Sequence, residues 1–278
     1  MTAGFLILLL AVLLSATMAA AWLAAIRTGR SGWIDAIWSF AVGAGGVAAA
    51  FLPLEGDASW TVRQWVVAAL AGFWSLRLGL HILARTAGGG DDPRYAQLRA
   101  EWGTNFRRRL FWFLQIQAAA AFLLVMAIFA AARNPAASLG PGDWLGIAVL
   151  IIAVAGEAIA DRQLTAFRAD RANKGRVCDQ GLWSLTRHPN YFFEWLGWVA
   201  YPIIAIDLTN DYPWGWAALA GPIFMYWLLV HVSGIPPLEA HMLRSRGEKF
   251  REYQRRVNAF WPGPRRRPTE STSKGKKV

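Results

Sequence analysis

Long apolar runs, each close to the roughly 20 residues a helix needs to cross a hydrocarbon core about 30 Å thick, follow one another through most of the chain. They predict seven helices, at Phe5 to Ile26, Trp33 to Leu52, Val62 to Ala84, Leu110 to Ala131, Trp144 to Leu164, Tyr191 to Ile206 and Pro213 to Ile235. The expected fold is all-α, a multi-pass membrane protein with a single seven-helix domain over residues 1–263. Residues 264–278 (PRRRPTESTSKGKKV) form a basic tail too poor in apolar residues to fold, expected to be disordered. The first run has no basic segment ahead of it, and its first arginines, Arg27 and Arg30, follow it. It therefore reads as a retained anchor and not as a signal peptide. No internal repeat of the transporter kind is visible.

Composition agrees: 278 residues, 55% hydrophobic, mean hydropathy +0.28, which excludes a soluble domain and a disordered chain. The net charge of +11 would suggest nucleic acid in a soluble protein, but here the charge lies between the apolar runs and reports topology. Of the 29 Lys and Arg, only Arg63 and Arg133 fall at one set of span ends, and Arg77 falls inside a span. The positive-inside rule then places the N-terminus outside and the C-terminus in the cytoplasm, with the long, chemistry-bearing loops on the cytoplasmic face. The absence of targeting motifs and the Arg and Ala richness suit a bacterial inner membrane. Membrane lipids are the expected surroundings, with no nucleic acid and no obligate protein partner. Cys178 is the single cysteine, so neither an intramolecular disulfide nor a CxxC zinc site is available.

Charged side chains in a bilayer cost at least about 2.5–3.5 kcal/mol each, so the few present call for a reason. Asp35 opens the second span, Arg77 and His81 lie one turn apart in the third, Glu194 is in the sixth, and His231 ends the seventh. Asp35 and Arg77 can be read as an interior ion pair that fixes packing, or as polarising groups in a buried pocket. Glu157, Asp161 and Arg168, at i, i+4 and i+11, share one helical face that runs into a basic loop with Lys174 and Arg176. Two carboxylates followed by cations suit a ligand bearing hydroxyls and phosphates. In RHPNYFFEW, Pro189 marks a helix start, and Asn190 and Glu194 sit one turn apart. His188 with Glu194 lacks a third metal ligand, so no metal site is expected. No GxGxxG or GxxxxGK[ST] motif is present, GGGDDP at Gly88 reads as a turn, and no elbow motif supports Ser/His/Asp catalysis. Phe250, Tyr253 and Val257 form an amphipathic stripe near the C-terminus, and Glu239 ahead of it is expected to need a partner.

The runs DRQLTAFRADRANKGRVCDQGLWSLTRHPNYFFEWLGW and PPLEAHMLRSRGEKFREYQRRVNAFWP resemble the bacterial branch of the steroid 5-alpha-reductase family. WIDAIWSFAV and WSLRLGLHILAR with DDPRY extend the likeness over most of the chain. The resemblance implies a seven-helix oxidoreductase that takes NADPH from the cytoplasmic side and reduces a carbon–carbon double bond conjugated to a ketone. The substrate is lipophilic, in the first instance a 3-oxo-4-ene steroid, entering from the bilayer. Matching cofactor positions are Asp161, Arg168, Asn190, Glu194 and Trp198, with His188 in the RHPNY element. The phosphates are implied to lie among Arg94, Lys174, Arg187 and the Glu239 to Arg246 segment. The family polarises the ketone with an acid in the second span and a tyrosine in the third. Here Asp35 lies beside the acid's position, the third span has no tyrosine, and Trp74 or Arg77 occupies that region.

The RHPNY element also resembles the isoprenylcysteine carboxyl methyltransferases, which would make S-adenosylmethionine the cofactor. The abundance of basic residues favours the phosphate-bearing NADPH. A non-enzymatic transporter or scaffold would distribute its polar groups through the bilayer depth, whereas here they gather towards the cytoplasmic ends.

Overall fold

The computed structural model describes residues 1–57, 59–87, 93–209 and 211–266. The turn expected at Gly88 and the tail beyond residue 266 lie outside the described residues. Among the described residues there are ten α-helices: α1 (Ala3–Thr28), α2 (Ile34–Phe51), α3 (Val62–Ala87), α4 (Pro93–Trp102), α5 (Phe106–Ala132), α6 (Pro141–Ala169), α7 (Pro189–Ala205), α8 (Ala220–Trp227), α9 (Ile235–Arg246) and α10 (Glu248–Arg256). Among the described residues no strand occurs. Six stretches of the described residues are long and apolar enough to cross a membrane: Ala3–Thr28, Ile34–Phe51, Val62–Ala87, Arg94–Ala132, Pro141–Ala169 and Pro213–Arg246. The run expected at Tyr191 to Ile206 is α7, which spans 17 residues and carries Pro202 in its interior. The last stretch is not one regular helix. It opens as a 3-10 turn, continues as α8 and passes through a π-helical turn at Leu228–Val232 before α9.

The chain divides into two compact units. The first comprises Met1–Leu150 with Trp198–Phe224. Its first helix is capped by Thr2, whose hydroxyl accepts from Phe5 N, and ends where Gly29 takes φ 71°, a left-handed conformation that favours glycine. Leu6, Leu10, Leu14 and Met18 form its buried stripe, while Phe5, Leu8 and Val12 face outward, as a helix does when its other face meets lipid. Small residues let α2 approach its neighbours closely. Gly46 leaves room for Ile128 of α5, and Gly43 for Ser75 of α3, whose hydroxyl donates to Ser39 O at 2.9 Å.

Two arginines close the arginine-poor end of this unit. Arg133 donates to Ala49 O at 3.2 Å and Leu52 O at 2.5 Å, satisfying carbonyls that the end of α2 leaves open, and pairs with Asp57 at 2.7 Å. That pairing, with the Leu54 backbone amide as the larger contribution, holds the Asp57 carboxyl below its usual range. Arg63, 3% exposed, grips Asp143 through two parallel hydrogen bonds of 2.7 and 2.8 Å. Its remaining donors reach the carbonyls of Asn134, Ala136 and Ser138, so the loop before α6 is wrapped around one guanidinium.

The second unit comprises Ile151–Gly197 and the chain from Met225 onward. Phe193 of α7 lies against Gly156 of α6, where any Cβ would collide with the ring. The stripe Phe250, Tyr253 and Val257 is buried against Val177, Met242 and Leu243, so α10 spends its apolar face on the protein. The following segment is fastened by an aromatic cluster in which Trp195, Tyr226, Phe260 and Trp261 meet edge to face.

Candidate functional site

In the second unit the basic loop after α6 folds back on the helix end. Asp170 caps a 3-10 turn at Arg171–Asn173 by accepting from Ala172 N at 2.8 Å, and Asn173 Nδ2 donates to Phe167 O at 3.1 Å. Gly175, at φ 77°, then reverses the chain. This fold-back encloses a cleft of about 320 Å³. Leu164, Phe167, Cys178 and Met242 give it an apolar floor, and Arg168, Arg171, Lys174, Arg176 and Arg246 supply its cationic rim. Burial pushes the Cys178 thiol above its ordinary range, so it lines the floor as a neutral apolar group. Asp170 is the acid in the lining, and its carboxylate is engaged by Ala172 N and Asn173 Nδ2. Five neighbouring cations raise the local potential in a way that a polyanion relieves, and an apolar floor beneath them suits a flat ring.

Four residues expected from the sequence, Arg168, Lys174, Arg176 and Arg246, meet in this cleft, although Arg246 lies in a distant part of the chain. Arg171 completes the rim and was not singled out; its signal was membership of the same basic run. Glu157, Asp161 and Arg168 do lie on one continuous helix, which extends five residues past the expected Leu164. Along it Glu157 is buried, Asp161 half-buried and Arg168 exposed. Asp161, Asn190 and Glu194 do not line the cleft. Glu194 is 8% exposed on α7, one turn beyond the half-buried Asn190.

Arg187, His188 and Glu239 form a second cluster in this unit. Glu239 accepts from Arg187 at 2.7 and 3.1 Å, from His188 Nε2 at 2.9 Å and from Gln254 at 2.6 Å. The remaining Arg187 donor reaches Val257 O at 2.5 Å and Gln254 O at 3.2 Å, and Thr186 donates to the carbonyls of Ala259 and Phe260. These contacts fasten the start of α7 to α9, α10 and the segment beyond. Glu239 thus has the partners it was expected to need. Burial lowers the His188 pKa, outweighing the pull of Glu239, so its imidazole is neutral at pH 7. Nε2–H then donates to Glu239, while Nδ1, also buried, has no hydrogen-bond partner among the described residues.

The remaining expected residues lie in the first unit. Asp35, in the first turn of α2, receives hydrogen bonds from Arg94 and, at 3.0 Å, from the Tyr95 hydroxyl. Arg94, expected at a phosphate, is therefore a partner of the expected acid. Tyr95 is 3% exposed within an apolar cluster from α1, α2, α4 and α5, and Gln117 of α5 donates to its oxygen at 3.4 Å. Reading only the third span for a tyrosine missed it, although DDPRY carried it. Trp74 is buried and meets Trp198 edge to face, with ring centroids 4.9 Å apart. Trp198 in turn lies 5.4 Å from Tyr201. Arg77 is half-buried on α3, one turn from Trp74.

Comparison with known proteins gives one family. No curated protein and no solved structure matches the chain. A family profile described as "Protein of unknown function (DUF1295)" matches residues 21–257, which takes in every helix from the last two turns of α1 to α10 and both clusters above. With most of its length matched, the chain belongs to the DUF1295 family.

Proposed function

We propose that this protein is an NADPH-dependent membrane reductase acting on a carbon–carbon double bond conjugated to a ketone, with a 3-oxo-4-ene steroid as the first substrate class to test. The observation that carries the reading is the cleft of the second unit, whose cationic rim suits a diphosphate and a ribose phosphate and whose apolar floor suits a ring. The relation of the family to steroid 5-alpha-reductase-like membrane proteins points the same way. S-adenosylmethionine has no phosphate to match five cations, so the methyltransferase reading serves as the comparator.

Arg168, Arg171, Lys174, Arg176 and Arg246 would hold the cofactor phosphates. When bound, reduced nicotinamide would supply a hydride to the electrophilic β carbon of the enone and leave as oxidised nicotinamide, and a proton from water taken up at the α carbon would complete the reduction. Tyr95 is the candidate donor to the ketone oxygen: its one hydroxyl proton rests on Asp35 and would turn to the substrate where negative charge develops, and the apolar residues around its ring limit the access of water. In this reading Asp35 and Tyr95 form the polarising pair, and Arg94 is the ion-pair partner of Asp35.

We read α7 and the Pro213–Arg246 stretch as the sixth and seventh crossings, since 17 residues is within the range of a spanning helix. The N-terminus is then outside and the loops of the cleft are cytoplasmic, in a bacterial inner membrane. Pairing of Arg63 with Asp143 and of Arg133 with Asp57 supports that orientation, because both outer arginines are neutralised within the protein. The test follows nicotinamide absorbance of detergent-solubilised protein on adding the steroid. Enone-dependent oxidation of NADPH supports the reading. Binding of S-adenosylmethionine without binding of NADPH contradicts it.

A further inference from the structure

Three helix ends meet at the arginine-rich end of the first unit. Arg99 donates to Gly29 O at 3.3 Å, tying α4 to the end of α1. The Trp22 indole donates to Arg107 O at 2.9 Å, tying α1 to the start of α5. The Arg99 guanidinium lies over the Phe106 ring, 4.6 Å from its centroid. These ties gather Arg27, Arg30, Arg99, Arg107, Arg108 and Arg109, all exposed. None of the six belongs to an ion pair among the described residues. Helix stability does not explain the three on α5, because cations in a first turn oppose the helix dipole.

Trp112, 60% exposed, stands one turn deeper along α5, on the face of Arg108 and Arg109. An outward indole one turn beneath a band of cations is the arrangement found at the headgroup level of a bilayer. The cations are all guanidinium, which binds a phosphate through two parallel hydrogen bonds where an ammonium offers a point charge. We propose that this end of the first unit is a binding site for the phosphate headgroup of an anionic phospholipid. The phosphate engages the arginines of α5 and the α1 end, and the acyl chains lie along Trp112. This site is independent of the proposed reductase activity.

The full-length protein is extracted from vesicles of phosphatidylcholine and phosphatidylglycerol, and retained lipid is measured by native mass spectrometry. Preferential retention of phosphatidylglycerol that falls with rising salt is expected, with the R107Q/R108Q/R109Q variant weakened by about fivefold per arginine removed. The triple lysine variant keeps the charge and controls for folding, and is expected to retain the lipid less well than the wild type and better than the glutamine variant. R251Q/R255Q, in exposed positions of α10, is expected to leave retention unchanged. Equal retention of the two lipids, retention indifferent to salt, or displacement by excess inorganic phosphate would overturn the proposal. Where the glutamine variant does not fold, the salt dependence and phosphate competition of the unmodified protein decide the matter.

Discussion

The Tyr95 hydroxyl donates to Asp35 Oδ1 at 3.0 Å, although 60 residues separate the two in sequence. In the proposed function that hydroxyl proton turns from the Asp35 carboxylate to the substrate oxygen as charge develops there. Tyr95→Phe removes the donor while keeping the ring in its apolar cluster. Turnover is expected to fall about 100- to 1000-fold with NADPH affinity nearly kept, and Asp35→Asn to fall in the same direction. Steady-state kinetics with the enone, beside a separate cofactor titration, checks this. Full turnover by Tyr95→Phe would remove Tyr95 from the chemistry.

The Glu239 cluster makes a different prediction. Arg187 and Glu239 are 10% and 12% exposed in their side chains, so removing one leaves the other charged and enclosed. Glu239→Ala is expected to destabilise the protein by about 3–5 kcal/mol and expose α10 to proteolysis. Limited proteolysis with mapping of the first cut tests it; a first cut elsewhere, at unchanged rate, would contradict the latch.

His188 gives that cluster a pH dependence. Its folded pKa lies below the ordinary 6.5, because burial disfavours the imidazolium more than Glu239 favours it and Arg187 adds to the penalty. The unfolded chain therefore binds the extra proton more readily. The stabilisation is complete above about pH 6.5 and is lost as the pH falls through the folded value. Melting temperatures of the wild type and of His188→Gln, measured from pH 8 to pH 5, are expected to converge towards acid. Parallel curves would contradict a neutral buried imidazole.

Arg63 and Asp143 offer a test confined to the arginine-poor end. Asp143→Asn is expected to cost about 3–5 kcal/mol, since it leaves a guanidinium that is 3% exposed without its counter-ion. Cofactor affinity is expected to stay unchanged. A double-mutant cycle with Arg63→Leu should show strong coupling, and additive effects would mean that the pair acts through separate contacts.

Much of this architecture was legible from hydropathy, because a lipid-facing helix must be apolar along its length. The first five expected spans correspond to α1, α2, α3, α5 and α6. What hydropathy could not show was irregularity. Pro213–Arg246 has the composition of one span, but its backbone passes through 3-10, α and π geometry. The cleft was partly legible: the basic loop announced Arg168 and Lys174, whereas Arg246 reaches them only through packing of α9, a long-range effect that spacing does not encode. Tyr95 escaped because a short helix outside the expected spans carries it, and packing and hydrogen bonds to α2 and α5, which spacing does not encode, join it to the apolar helices.

In the proposed function the cleft beneath Arg168, Arg171 and Lys174 binds the phosphates of NADPH. Its most direct test is equilibrium titration of purified protein with NADPH, NADH and S-adenosylmethionine, repeated on R168Q/K174Q. NADPH is expected to bind more tightly than NADH, S-adenosylmethionine not to bind, and the variant to bind NADPH about 10- to 100-fold more weakly. NADPH binding of equal strength in the wild type and the variant, or binding of S-adenosylmethionine alone, would contradict it.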